Sequence, residues 1–291
     1  MRLSAIHLHP VKSTAVRPVR QATLHRSGLE GDREWVVVDG DGVMVTAREA
    51  RSLLRVVADT PATDPEVAGA LRLRGPGMPE LTLDTPPPGA GHLPVRVFSS
   101  DLRGVPVGPE ADAWLRRVLA RDDVRLLWCD DPSRRRLNPS WARPTDHSAF
   151  PDGAPLSVVS TASLDRLQDW LRATAAELGE PTPAPMPVTR FRPNLVVDGL
   201  GAAFDEDGWR RVRIGDVDLR APKRLDRCVI TTVDPETLEA GPEPIRTLAR
   251  HRREAGKTWF GMRLVPDGEG VLSVGDPVTV VETAPADPGA G

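Results

Sequence analysis

Apolar and polar residues alternate weakly over residues 3–10 and again over 17–24, the period of two expected of half-buried strands. Trp35-Val36-Val37-Val38-Asp39, then Gly40-Asp41-Gly42, then Val43-Met44-Val45-Thr46 predicts a β-hairpin closed by a glycine-bearing turn. Residues 71–73, 81–83 and 95–98 continue the series, so the first third reads as a small barrel-like sheet. Thr85-Pro86-Pro87-Pro88-Gly89-Ala90-Gly91 interrupts it as an exposed loop.

The period lengthens over residues 111–120, where Trp114, Leu115, Val118 and Leu119 share one helical face and Arg116, Arg117 and Arg121 fall away from it. Residues 124–129 read as a strand ending in Cys129. Residues 130–153 are polar and proline-bearing, and the run Arg134-Arg135-Arg136 reads as solvated, so a domain boundary is expected here. A strand at 155–159 leads to capping residues at 160–163 and a helix reaching Leu178. Four prolines make 179–188 an extended connection. Strands are predicted at 195–197, 212–214, 217–219, 228–233 and 278–281, and a short helix at 248–253. The whole predicts an α+β, β-rich protein with a domain at 1–130, a second at 131–283 and a flexible tail at 284–291.

Composition narrows the class. With 291 residues and 40% hydrophobic content the chain buries a sizeable core. No stretch approaches the roughly 18 apolar residues of a membrane span, and the N-terminus lacks an apolar leader core, so a soluble, cytoplasmic protein is expected, with no membrane partner. A formal charge of −3 provides no global field for nucleic acid, so anion recognition has to be local. Two cysteines 99 positions apart make neither a disulfide framework nor a paired-cysteine metal knuckle.

The densest chemistry lies at Cys228. Lys223, Arg224 and Arg227 stand within five residues of it, and neighbouring cations favour the thiolate, the form that attacks or ligates. A lone cysteine at the head of an apolar run is equally a small core residue. Further basic or hydroxylic clusters fall at predicted strand ends: Lys12-Ser13, Arg33, and Arg190 with Arg192 and Asn194. Arginine forks, a lysine point charge and serine hydroxyls suit phosphate, and an asparagine amide can read a planar heterocycle. Together the clusters form an anion cradle with a thiol at its rim. His7 and His9 alternate on one strand without a third ligand at zinc-like spacing and read as ordinary strand residues. His147 and His251 fall in polar, solvated segments.

Taken in order, the clusters resemble a known family. His9-Pro10-Val11-Lys12-Ser13, Gly28-Leu29-Glu30-Gly31-Asp32-Arg33-Glu34-Trp35 and Thr46-Ala47-Arg48-Glu49 are similar to the N-terminal β-barrel domain that accompanies MOSC domains. Asp152-Gly153-Ala154-Pro155-Leu156, Ser160-Thr161-Ala162-Ser163-Leu164, Arg190-Phe191-Arg192-Pro193-Asn194, Ile214-Gly215-Asp216, Arg227-Cys228 with Thr231-Thr232-Val233-Asp234-Pro235, and Val274-Gly275-Asp276-Pro277 look like successive landmarks of the MOSC domain itself, named for the molybdenum cofactor sulfurase C-terminus.

That resemblance implies two β-barrel domains around the molybdenum cofactor, a strongly anionic pterin. Cys228 is then the metal ligand and catalytic residue. Lys12, Ser13 and Arg33 reach the cofactor from the first domain. Arg192 and Asn194 hold the pterin, with Ser160, Thr161, Arg190 and Arg227 as neighbouring contributors and Phe260-Gly261 at the entrance. The branch that includes the mitochondrial amidoxime-reducing component and its bacterial relatives implies reduction of small N-hydroxylated compounds, with electrons from a separate protein, either ferredoxin-like or a cytochrome or flavoprotein reductase. Thr14 and Leu225 stand where relatives often carry cysteine, which disfavours sulfur relay through paired thiols. The alternative is a carrier of the cofactor or of sulfur without substrate turnover.

Overall fold

The computed structural model describes residues 1–284, and all of the expected tail except Ala284 lies outside them. The protein is strand-rich, with three α-helices among the described residues: α1 Pro109–Leu119, α2 Thr161–Leu178 and α3 Ile245–His251. Gly108 precedes α1 and offers no side-chain cap, but Pro109 opens the helix, where its fixed φ and missing N–H suit the first turn. Ser160 caps α2, its hydroxyl accepting from the Ser163 amide at 3.1 Å, and Gly179 closes it in the left-handed region.

The largest sheet draws on both halves of the chain. Strands Val278–Thr283, Trp209–Ile214, Val217–Asp226, Lys257–Pro266, Leu156–Ser160, Leu195–Asp198, Arg2–Leu8 and Arg17–Val19 neighbour one another in that order, so the N-terminal strand Arg2–Leu8 zips antiparallel onto Leu195–Asp198. Its buried side chains Leu3, Ile6 and Leu8 share a core with Leu156, Val158, Leu195, Val197, Leu219, Met262 and Leu264. A separate core under α1 gathers Trp35, Val37, Leu53, Leu71, Leu73, Trp114 and Leu115, and Val233 from the second half is buried in it, with Ile230 packed alongside. The cleft described below opens where these layers meet.

Four differences from the sequence reading have physical causes. Trp35–Val38 does not form the expected hairpin ladder; it pairs antiparallel with Arg125–Trp128, and Val43 and Met44 make only single bridges. The strand Lys257–Pro266 is absent from the predicted set: it lies between Val217–Asp226 and Leu156–Ser160, is buried on both faces over most of its length, and so shows no alternation. The predicted strand at 228–233 is instead a 3-10 turn, Val229–Thr232, with the Thr231 and Thr232 hydroxyls donating to the Cys228 and Val229 carbonyls at 3.0 and 2.8 Å. Such local side-chain bonds compete with a sheet ladder. Finally, Arg135 is not solvated but buried, donating to the carbonyls of Ala149, Pro151 and Asp152 and thereby tying down the loop that carries Asp152.

Candidate cofactor cleft

Lys12, Ser13, Arg33, Arg48, Asp152, Arg192, Asn194, Asp226, Arg227, Cys228 and Arg263 line one cleft between the two cores, with about 890 Å³ of empty space counting its open mouth. Six cations thus face two carboxylates, so the cleft favours an anion. The first half contributes turns rather than strands. Ser13 and Arg33 have φ of 72° and 53°, and Arg192 across the cleft has 51°, all in the left-handed region that non-glycine residues seldom occupy. Backbone held there at some cost is concentrated at binding sites.

Lys12 is buried; its ammonium donates to the Phe150 carbonyl at 2.9 Å and to the half-exposed Asp152 carboxylate. Burial, opposed by Asp152, lowers its pKa to about 8. Asp152 also accepts from the Arg48 Nη2 at 3.0 Å, and Arg48 Nε in turn lies 3.4 Å from the Cys228 sulfur. Cys228 is partly exposed at the head of its 3-10 turn. It is therefore not sealed in the core, and it shares the cleft with Lys12 and Arg192. Cys129, by contrast, is a thiol that burial pushes up to about 12.

Beneath the cleft floor lies a polar knot. The Asp32 carboxylate accepts from the His9 amide at 2.8 Å, from Arg33 Nη1 at 2.5 Å and from Asn194 Nδ2 at 3.0 Å. Burial works against its charge, but Arg33 and His9 outweigh that and hold its pKa at about 2. Asn194 donates its second amide hydrogen to the His7 carbonyl at 3.2 Å, while its oxygen accepts from Arg33 Nη1 at 3.1 Å and the Ser157 amide at 3.2 Å. Both of its amide hydrogens are thus engaged by protein, so Asn194 is a brace that aims Arg33 more than a reader of any ligand. His7 and His9 are buried in this same framework, His7 Nδ1 lying 3.1 Å from the Pro193 carbonyl and His9 Nδ1 3.4 Å from Asp32.

The second-half arginines retain unmet hydrogen-bonding capacity. Arg227 donates from Nε to the Phe260 carbonyl at 2.7 Å and from Nη1 to the Phe191 carbonyl at 2.9 Å, and its guanidinium lies over both rings. Its Nη2, the Nη2 of Arg192 and the Nε of Arg263 are buried without a partner among the described residues. Burial lowers the pKa of Arg192 and of Arg227 to about 9, with the Arg33 charge adding to the effect at Arg192. Buried N–H groups without acceptors are costly, and a ligand that supplied acceptors to them would offset that cost.

Three predicted contributors lie elsewhere. Ser160 is spent on capping α2 and on the buried Glu206 carboxylate at 3.0 Å. Thr161 donates to Asp198 at 2.8 Å, and Arg190 pairs with Asp234 at 2.8 Å. Phe260 and Gly261 are not at the entrance either: they stand behind Arg227, and a Cβ on Gly261 (φ 79°) would come within 2.5 Å of the Val158 carbonyl. Conversely, Arg48, Asp152 and Arg263 belong to the cleft although no sequence signal marks them as site residues on its own. Only the resemblance of Thr46-Ala47-Arg48-Glu49 and Asp152-Gly153 to family landmarks points to the first two.

Comparison with known proteins shows the family of the chain. The family model described as the MOSC domain matches residues 145–279, and that described as the MOSC N-terminal beta barrel domain matches residues 1–122. Mitochondrial amidoxime-reducing component 1 of Danio rerio is 32% identical over 284 residues, spanning 93% of this chain and 82% of the relative. Mitochondrial amidoxime reducing component 2 of Homo sapiens is 31% identical over 295 residues, spanning 95% and 82%. Among solved structures, the YUAD protein from Bacillus subtilis matches 95% of this chain and 93% of its own at 12% identity and a TM-score of 0.39.

Proposed function

The chain belongs to the MOSC-domain family and carries that domain's N-terminal β-barrel companion, and on that footing we propose that it is a molybdenum-cofactor-binding oxidoreductase that reduces N-hydroxylated compounds. The observation that carries this reading is a partly exposed thiol in the same cleft as six cations, two of which, Arg192 and Arg227, present buried Nη2 groups with no acceptor among the described residues.

The residues present fit the group. Soft thiolate at Cys228 is an apt ligand for a metal already held by sulfur, whereas no cluster of three His, Cys, Asp or Glu among the described residues offers an all-protein metal site. Lys12, Ser13 and Arg33 from the first half and Arg192 and Arg227 from the second would hold the anionic pterin. The cofactor, when bound, supplies the two-electron chemistry that removes oxygen from the substrate nitrogen.

The chain's own residues bind, orient and neutralise. Arg33, fixed by Asp32 and Asn194, enters the cleft in one orientation rather than many. Arg48 supplies positive charge beside the sulfur, and Asp152 holds Arg48 and Lys12 together. Electrons come from a separate donor protein, either ferredoxin-like or a cytochrome or flavoprotein reductase.

Protein purified with its ligands is the test. Molybdenum and pterin in near-equal amounts, together with reduction of benzamidoxime by an artificial donor, are the expected results. Bound cofactor that passes to an apo-enzyme without any substrate turnover would establish a carrier instead, and protein free of molybdenum after expression in a cofactor-producing host would overturn both.

A further inference from the structure

Strands Leu93–Val97 and Ser100–Pro106 are joined by a two-residue turn, Phe98-Ser99, in the register Val97 to Ser100. The first central residue of this turn, Phe98, has φ of 54°. In two-residue hairpins, a positive φ at this position is the conformation for which glycine is preferred, because a Cβ there is strained. The sequence nevertheless places a phenylalanine here and leaves it 47% exposed. A large apolar side chain that is both strained and solvated contributes little to folding, and a departure from local preference of this kind points to function.

The location gives the function. The ring lies 5.3 Å from the Arg48 guanidinium and 5.7 Å from the Lys12 ammonium, both on the cleft wall, and Arg48 is the residue that meets the Cys228 sulfur. Two cations of the lining thus anchor the ring, which does not itself line the cleft. On the sulfur side, Val229 is 57% exposed immediately after Cys228, and Leu225 and Ile230 line the cleft. Apolar groups from both halves of the chain thus border the charged lining as a lip, Phe98 by its contacts with Lys12 and Arg48 and Leu225 and Ile230 as lining residues themselves.

We propose that Phe98 is the specificity-determining residue of this lip, stacking on the aromatic body of N-hydroxylated substrates whose reducible nitrogen enters the cleft. The inference rests on the reductase reading and concerns selectivity within it: ligands that carry a planar ring are favoured over small aliphatic ones, because only a planar ring recovers the contact area that Phe98 offers.

Equilibrium binding separates this proposal from the reading beneath it. Calorimetric titration of cofactor-loaded protein with benzamidoxime and with acetamidoxime compares a phenyl with a methyl group on the same reactive centre. The expected result is about tenfold tighter binding of benzamidoxime, the scale of one aromatic contact. Phe98→Gly is expected to abolish that preference while leaving molybdenum content unchanged and the melting temperature equal or higher, since glycine relieves the positive φ; Phe98→Trp restores the preference. No preference in the wild type, a preference that survives Phe98→Gly, or an equal loss for both ligands overturns the proposal. If benzamidoxime binds with the preference described but no reduced dye drives its conversion, the reductase reading fails and the lip stands.

Discussion

The Nε of Arg48 lies 3.4 Å from the sulfur of Cys228, across 180 positions of sequence. Two of the cations nearest to Cys228 in the chain point elsewhere. Arg224 pairs with Glu254 at 2.5 Å and lies over the ring of Trp259, while Arg227 bonds the Phe260 and Phe191 carbonyls. The charge in direct contact with the thiol thus comes from the first half of the chain, and the Asp152 carboxylate ties it to Lys12.

Replacing Cys228 by alanine removes the proposed ligand at a partly exposed turn. Thermal stability of the cofactor-free protein is expected to change by no more than about 0.5 kcal/mol, as at other surface positions. Benzamidoxime reduction is expected to collapse, and X-ray absorption at the molybdenum edge should count one sulfur fewer. An unchanged sulfur count would remove Cys228 from the metal.

Arg192→Met should move stability and binding in opposite directions. The wild-type guanidinium is buried with an unpartnered Nη2, and its pKa is lowered to about 9 by that burial and by Arg33. An apolar side chain of similar length removes that cost, so cofactor-free protein melts at the same temperature or higher. Pterin and molybdenum content after expression should nevertheless fall. A fall in both melting temperature and occupancy would mark Arg192 as structural.

Asn194→Ala should be the most damaging single change near the cleft. It strips bonds from Asp32, Arg33, the His7 carbonyl and the Ser157 amide at once. Leaving such buried groups unpaired costs about 3 kcal/mol, measurable by urea denaturation. A loss of activity with unaltered stability would contradict the bracing role.

Two titrations bracket the working range. Asp32 has its folded pKa depressed to about 2, so its stabilising contribution is complete above the carboxylate's unfolded range near 4 and disappears as the pH falls through about 2. Asp32→Asn should therefore flatten the acid limb of the stability curve. Lys12 has its folded pKa lowered to about 8, so the folded state holds fewer protons than the unfolded chain between about 8 and 10.4, and stability contributed at this site rises with pH there. Binding runs the other way: loss of the Lys12 proton removes a cation from the cradle, and affinity of the apo-protein for inorganic phosphate should weaken as pH rises through about 8. Lys12→Met should remove that pH dependence.

The sequence alone determined what depends on local pattern and on residue type. Short apolar runs placed strands such as Leu71–Arg74 and Leu81–Leu83, helical spacing placed α1 and α2, and the thiol and basic residues pointed to an anion cradle with a thiol at its rim before any contact was known. Tertiary structure decided which of those groups face one another. It sent Ser160 to a helix cap and Arg190 to Asp234, spent the Asn194 amide on Asp32 and His7, buried Arg135 under the Asp152 loop, and brought Arg48 to the sulfur. It also revealed Lys257–Pro266, whose burial on both faces erases the alternation by which strands are recognised. The reason is one of range: periodicity records whether a residue meets core or solvent, while a side chain's hydrogen-bond partner is chosen by segments that only the folded sheet brings together.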